Sequence, residues 1–153
     1  MRFLMRFGAL VAVFGAAQMA TSDALYPVTT VLAHAVAGIL ADLGWAHVYA
    51  AGDRVAFGES TYQVGLECAA IGHATVVAAF CLAWPARWSR RVLGALAGIL
   101  AVTLANLVRL VACAYTLALA PDAFAFVHDY VWQVGFLAFV LLLARWWAGH
   151  AAD

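Results

Sequence analysis

The feature that most constrains this chain is an arginine inside a long apolar run. The run extends from Val92 to Ala120, and Arg109 lies within it in the stretch LANLVRLVACA, residues 104–114. A run of about 20 apolar residues is long enough to cross a bilayer as a helix. A charge near the centre of such a helix costs at least about 2.5–3.5 kcal/mol on insertion scales. Arg109 therefore predicts a polar, functional site inside a membrane bundle.

The composition extends this membrane interpretation to the whole chain. The 153 residues are 67% hydrophobic and 10% charged, whereas soluble domains average about 45–50% apolar and about 25% charged residues. A chain of this length holds about four or five spans and leaves no room for a large soluble domain. We therefore expect one membrane-embedded domain over residues 1–153, without an ATPase module or a nucleic-acid surface.

The apolar segments predict an all-α integral membrane bundle of about four transmembrane helices. The predicted spans cover residues 3–20, 68–84, 92–119 and 130–147. The first segment also resembles a signal peptide, because a basic start precedes an apolar core and small residues. We favour a retained span, since the rest of the chain is apolar too.

Residues 21–67 are predicted to form a cap on the outer face of the bundle. It would contain an interfacial helix over residues 26–43 and a short β-hairpin before Cys68. The hairpin is indicated by apolar residues that alternate with polar or smaller ones around glycine-containing turns: Val55, Phe57, Tyr62 and Val64.

The arginines orient this arrangement. The loop 85–91 carries three of them, so the positive-inside rule makes this loop cytoplasmic. The same rule puts both termini inside, and Cys68 and the loop 120–129 then lie outside. This topology requires that segment 26–43 does not cross. We expect a bacterial inner-membrane location with the site facing the periplasm.

Three side chains from different spans are predicted to meet near the outer leaflet. Asn106 lies three residues before Arg109 and therefore on the same helical face. Cys68 opens its span, where unpaired backbone N–H groups favour a thiolate. His128 lies where the outer loop enters the last span. A cysteine nucleophile, a histidine acid–base and a cationic oxyanion stabiliser are the parts that acyl transfer needs.

The stretches that carry these residues resemble the exosortase/archaeosortase family of membrane-embedded cysteine transpeptidases. They are GLECAAIGHA around Cys68, LANLVRL around Arg109 and FVHDYVWQ around His128. The similarity covers roughly residues 40–147 and is greatest to the short, single-domain members of the exosortase H type. It implies that Cys68, Arg109 and His128 are the catalytic trio and that Asn106 supports Arg109.

The resemblance also implies substrates and a departure from the family pattern. The substrates would be exported proteins with a C-terminal signal of a short motif, one spanning helix and a basic tail. The enzyme would cut near the motif and transfer the new C-terminus to a lipid or glycan acceptor. Many members have serine or asparagine and then glycine after the cysteine, whereas this chain has Ala69 and Ala70.

Two other interpretations remain open at this stage. The chain could be a non-catalytic binding or scaffold protein in which Arg109 and Asn106 join helices. It could also be a redox or haem bundle, with His73 and His128 as the plausible axial pair. Three cysteines without a C-x-x-C pair indicate neither a disulfide framework nor a zinc site, and we predict no cofactor and no metal.

Overall fold

The computed structural model describes residues 1–151, which form six helices, a small sheet and three short turns. The helices are α1 (Arg2–Ala20), α2 (Ser22–Asp42), α3 (Ile71–Ala83), α4 (Trp88–Leu119), the single turn α5 (Phe124–Phe126) and α6 (Trp132–His150). The strands are β1 (Tyr49–Ala51), β2 (Arg54–Phe57) and β3 (Ser60–Gln63). The turns are a 3₁₀ turn (Leu66–Ala69), a 3₁₀ turn (Pro121–Ala123) and a π turn (Val127–Val131).

The four helices α1, α3, α4 and α6 pack as an antiparallel bundle. Phe3 at the start of α1 contacts Trp84 just after the end of α3, so these two helices run in opposite directions. A Cβ on Gly98 of α4 would overlap Val77 of α3, which shows how closely those helices approach. Helices suit this environment because they satisfy every internal backbone hydrogen bond without water. The predicted all-α membrane bundle is therefore confirmed.

The described chain contains five helical segments that are long and apolar enough to cross a membrane, and α2 is one of them. Its contacts, however, keep both of its ends at one end of the bundle. It begins directly after Ala20, the last residue of α1, and the chain that follows it packs Trp45 against Tyr115, one turn before α4 ends. This placement agrees with an interfacial helix, and its position relative to a bilayer stays a prediction.

The predicted hairpin is present and gains a third strand. β1, β2 and β3 form one antiparallel meander in that order. The four apolar residues that indicated the hairpin are all buried under α2 and the C-terminal half of α4: Val55, Phe57, Tyr62 and Val64. The period-2 pattern therefore identified the correct face of the sheet.

The span predicted over residues 68–84 corresponds to α3, and this helix begins later than the predicted start at Cys68. Cys68 lies in the 3₁₀ turn, and α3 starts only at Ile71. Between them Ala70 adopts a left-handed conformation with φ 53°, which the sequence could not announce because alanine disfavours it. The turn sets Cys68 back from the helix end and buries it between α2 and α4.

Because Ala70 is left-handed, we expect glycine to affect stability differently at the two alanine positions that follow Cys68. Ala70→Gly should leave the free energy of unfolding unchanged or raise it by up to about 1 kcal/mol, because relief of about 1–2 kcal/mol of strain exceeds the entropy cost of glycine. Ala69→Gly should lower it by about 0.5–1 kcal/mol, since Ala69 has no positive φ. Thermal unfolding in detergent, followed by tryptophan fluorescence, measures both. Equal destabilisation by the two variants would contradict the strain.

A second prediction concerns Asp53, which ties the sheet to α2. Its carboxylate accepts hydrogen bonds from Tyr26 Oη at 2.7 Å and Gln63 Nε2 at 2.8 Å. The bond from Tyr26, and then that from Gln63, lower the pKa of Asp53. Because its pKa is lowered in the folded state, the ionised Asp53 carboxylate stabilises the fold at pH values above its unfolded-state pKa of about 3.9. This stabilisation disappears as the pH falls through the folded-state pKa.

We therefore expect Asp53→Asn to lower the melting temperature at pH 7 and to lose this effect in acid. The measurement is the melting temperature of both proteins from about pH 7 down to about pH 3. Asp122→Asn is the control, because the exposed Asp122 carboxylate makes no hydrogen bond within residues 1–151. A difference between wild type and Asp53→Asn that stays constant with pH would count against the assignment.

Candidate active site

The three residues expected to act together come from three separate elements and meet beneath the sheet. Cys68 lies in the 3₁₀ turn before α3, Arg109 in the second half of α4, and His128 in the π turn before α6. The hydrogen bonds of a π turn span one residue more than those of an α-helix, and such turns recur at functional sites. Here it carries the only described histidine that contacts a cysteine.

The cysteine and the histidine form the centre of the site. Cys68 Sγ lies 3.7 Å from His128 Nε2, within the range of a hydrogen bond to sulfur. Cys68 is only 3% exposed, while His128 is partly open to the surface. A nucleophile next to a base is the arrangement that activates a thiol for attack.

Arg109 supplies a buried positive charge beside this pair. It is 6% exposed, and its Nη2 lies 3.4 Å from the same His128 Nε2. The guanidinium also lies over the ring of Phe136, 5.9 Å from the ring centroid, which is a cation–π distance. Its Nε has no hydrogen-bond partner within residues 1–151. The cation therefore keeps donor capacity for an anion that forms in the site.

Asn106 joins Arg109 to the cysteine turn. Its Nδ2 donates to the backbone carbonyl of Cys68 at 2.8 Å, and its Oδ1 accepts from Arg109 Nη1 at 3.5 Å. Asn106 is fully buried, so both partners matter, because an unpaired buried amide is costly. The predicted support of Arg109 thus includes a second contact, which fixes the backbone of Cys68.

Asp129 determines which ring nitrogen of His128 faces the thiol. Its Oδ1 lies 2.7 Å from His128 Nδ1. A proton on Nδ1 would donate to this carboxylate, and the Nε2 lone pair would then accept from Cys68 or Arg109. This tautomer follows from the network, because an arginine can only donate.

Two residues of this site were missed by the sequence interpretation. Asp129 directly follows His128, and the adjacent carboxylate was an available signal. Tyr62 lies on the buried face of β3 and directs its hydroxyl toward Cys68 Sγ at 4.0 Å. That contact joins residues of different elements, and only its inward-facing position in the alternating strand pattern hinted at it.

Among the described residues, the remaining cysteines and His73 make no hydrogen bond to Cys68, Arg109 or His128, although Cys113 lies in the same buried cluster as Cys68. Cys81 and Cys113 are buried and free, as is Cys68, so no disulfide links any of the three. His73 packs edge-on against Phe136 with ring centroids 4.9 Å apart. The site thus combines one thiol, one imidazole with an orienting carboxylate, and one buried guanidinium, which together can perform nucleophilic acyl transfer.

Comparison with known proteins gives one match. The family model for the transmembrane exosortase matches residues 1–147, which include all four predicted site residues. No curated protein and no solved structure matches the chain.

The two hydrogen bonds of Asn106 generate a prediction about stability. Asn106→Ala should lower the free energy of unfolding by about 2–3 kcal/mol, because it leaves the Cys68 carbonyl unpaired in a buried position. Asn106→Asp should destabilise less, since it loses the amide donor to that carbonyl but places a carboxylate beside the Arg109 guanidinium. Thermal unfolding of the purified protein in detergent measures the effect.

The matched control is Thr103→Ala on the exposed side of α4. The Thr103 hydroxyl bonds only to the carbonyl of Ile99 on its own helix, so we expect little change. A wild-type melting temperature for Asn106→Ala would contradict the importance of the bond to Cys68.

Proposed function

The chain belongs to the transmembrane exosortase family, and on that premise we propose that it is a cysteine protease/transpeptidase acting within the membrane. Membership makes it a multi-pass membrane protein and, at the level of the family, a membrane transpeptidase. The finer proposal is that it cleaves C-terminal sorting signals of exported proteins with Cys68 as nucleophile. His128 would act as acid–base and Arg109 as oxyanion stabiliser.

The observation that carries this proposal is the meeting of three groups at one atom. His128 Nε2 lies 3.7 Å from Cys68 Sγ and 3.4 Å from Arg109 Nη2. A scaffold role for Arg109 needs no thiol beside the imidazole. Acyl transfer needs the thiol, the base and the cation within reach of one carbonyl group.

The proposed reaction begins with transfer of the Cys68 thiol proton to His128 Nε2. The sulfur attacks the scissile carbonyl carbon, and the carbonyl oxygen takes up the electron pair and becomes an oxyanion. Arg109 donates to this oxyanion, using donor capacity that includes its unpartnered Nε. Asp129 stabilises the imidazolium through Nδ1–H.

The intermediate then collapses to a thioester. The carbon–nitrogen bond breaks, and His128 gives its proton to the leaving amine, which departs with the C-terminal helix of the substrate. His128 next takes a proton from the acceptor nucleophile, which attacks the thioester carbonyl. Collapse of this second intermediate expels the sulfur, which regains a proton, and links the new C-terminus to the acceptor.

The proposed partners follow from the charge distribution and the family resemblance. The loop 85–91 and both ends of the chain carry arginines at the end of the bundle opposite the site. The positive-inside rule makes that end cytoplasmic in a bacterial inner membrane. A substrate helix with a basic inner tail would then hold its motif at the outer end, near Cys68. The acceptor would be a lipid or glycan.

The test is co-expression with a protein from the same genome that carries a C-terminal motif, spanning helix and basic tail. Its size is followed by blotting. We expect the wild-type enzyme to process it and Cys68→Ala to abolish processing. Arg109→Ala should slow processing by about 10²–10³-fold and His128→Ala by about 10²–10⁴-fold.

Cys81→Ala is the matched cysteine control, because Cys81 is buried in the bundle without a histidine contact. Expression and melting temperature of each variant separate loss of chemistry from loss of fold. Processing that survives Cys68→Ala would remove the nucleophile from the proposal. Full processing by a folded His128→Ala variant would remove the base.

A further inference from the structure

The sulfur of Cys68 has a second polar neighbour besides His128. The hydroxyl of Tyr62 approaches Sγ to 4.0 Å from β3. Tyr62 is only 4% exposed, and Sγ is the one hydrogen-bond partner that its hydroxyl has among the described residues. Buried tyrosine hydroxyls normally find a partner, and here that partner is the nucleophile.

The environment of Tyr62 favours the protonated form of its hydroxyl, which can donate a hydrogen bond. Burial, followed by the nearby charge of Cys68, raises the pKa of Tyr62 well above its usual range. The phenol therefore keeps its proton at the pH at which a thiol of ordinary pKa, about 8.5, ionises. A phenol that stays protonated can give a hydrogen bond to a thiolate but cannot take a proton from the thiol.

Aromatic packing fixes the direction of this hydroxyl relative to His128. The ring of Tyr62 meets Phe124 edge-on at 6.0 Å, and Phe124 stacks on the imidazole of His128 at 5.5 Å. Phe124 thus contacts Tyr62 and His128, two of the polar neighbours of Sγ, so β3 and the π turn hold these two in one arrangement. Rigid aromatic support of this kind favours positioned chemistry over a loose contact.

We propose that Tyr62 is a further catalytic residue, whose hydroxyl donates a hydrogen bond to the Cys68 sulfur and stabilises the thiolate formed when His128 accepts the proton. The catalytic role of that thiolate rests on the proposed function. The hydroxyl gives no proton away: its O–H bond stays intact while the S–H proton moves to Nε2. When the thioester forms, the sulfur loses its charge and the bond to Tyr62 weakens.

Several other charged or titratable groups face the same sulfur. Glu67 Oε1 lies 4.0 Å from Sγ, and a carboxylate there opposes a thiolate. Arg109 and Cys113 face the site from α4 and His128 from the π turn. The test must therefore remove only the phenol oxygen and leave these groups in place.

Tyr62→Phe removes that oxygen and keeps the ring between β3 and Phe124. The ultraviolet absorbance of the thiolate, measured against pH in the full-length protein, reads the ionisation of Cys68 directly. The spectrum of the matching Cys68→Ala protein is subtracted to remove Cys81 and Cys113. We expect the half-point to move upward by about half to one pH unit, a threefold to tenfold effect of one lost hydrogen bond to a charged group.

Two further variants make the measurement specific. Tyr49→Phe on exposed β1 is the control for removal of a tyrosine hydroxyl and should leave the half-point unchanged. A fluorinated tyrosine at position 62 is a stronger donor and should move the half-point downward. An unchanged half-point in a Tyr62→Phe protein that melts like wild type would overturn the proposal, and so would an upward shift with the fluorinated residue.

The titration needs no substrate, so it separates this inference from the proposed function. If the half-point shifts as expected and no sorting substrate is processed, the donor is real and the proposed sorting activity fails. If processing depends on Cys68 but the half-point does not shift, the proposed function stands and Tyr62 is a packing residue.

Discussion

The burial of one positive charge is the constraint on which the rest of this structure depends. Arg109 is 6% exposed on a helix long enough to cross a bilayer, and an unpaired charge there would cost several kcal/mol. The chain meets that cost with an amide from Asn106, an imidazole nitrogen from His128 and the face of Phe136. None of these groups is an acid, so they stabilise the charge of Arg109 without neutralising it. The guanidinium therefore remains able to attract an anion.

Asn106 connects the buried Arg109 to the turn that carries Cys68. Because its amide also holds the Cys68 carbonyl, Arg109 and Cys68 are both fixed to a single turn of α4. α2 and the sheet also pack against the cysteine turn, because Leu40, Val55 and Phe57 belong to the same apolar cluster as Cys68. A site built on bundle helices and covered by a small cap is held more rigidly than one carried by free loops.

The sequence predicted the features that depend on composition and period, and it missed those that depend on contact. The apolar runs identified the bundle, and alternation at Val55, Phe57, Tyr62 and Val64 identified the buried face of the sheet. β1 was missed because Tyr49–Ala51 is three residues long and lacks that alternation. The start of α3 was misplaced because Ala70 takes a conformation that alanine disfavours. The trio was suggested by residue type and family resemblance, but its convergence on Nε2 could be read only from the fold.

Arg109 and Cys68 compete as donors for the Nε2 lone pair of His128. One imidazole lone pair cannot accept fully from two donors, and both Arg109 Nη2 and Cys68 Sγ lie within reach of Nε2. A carbonyl oxygen that enters beside Arg109 offers the guanidinium a better acceptor, particularly as negative charge develops on it. As Arg109 turns to that oxygen, the Nε2 lone pair becomes available to the thiol. The group that stabilises the oxyanion would therefore also control the base, so that proton transfer from Cys68 is favoured only when a carbonyl is in place.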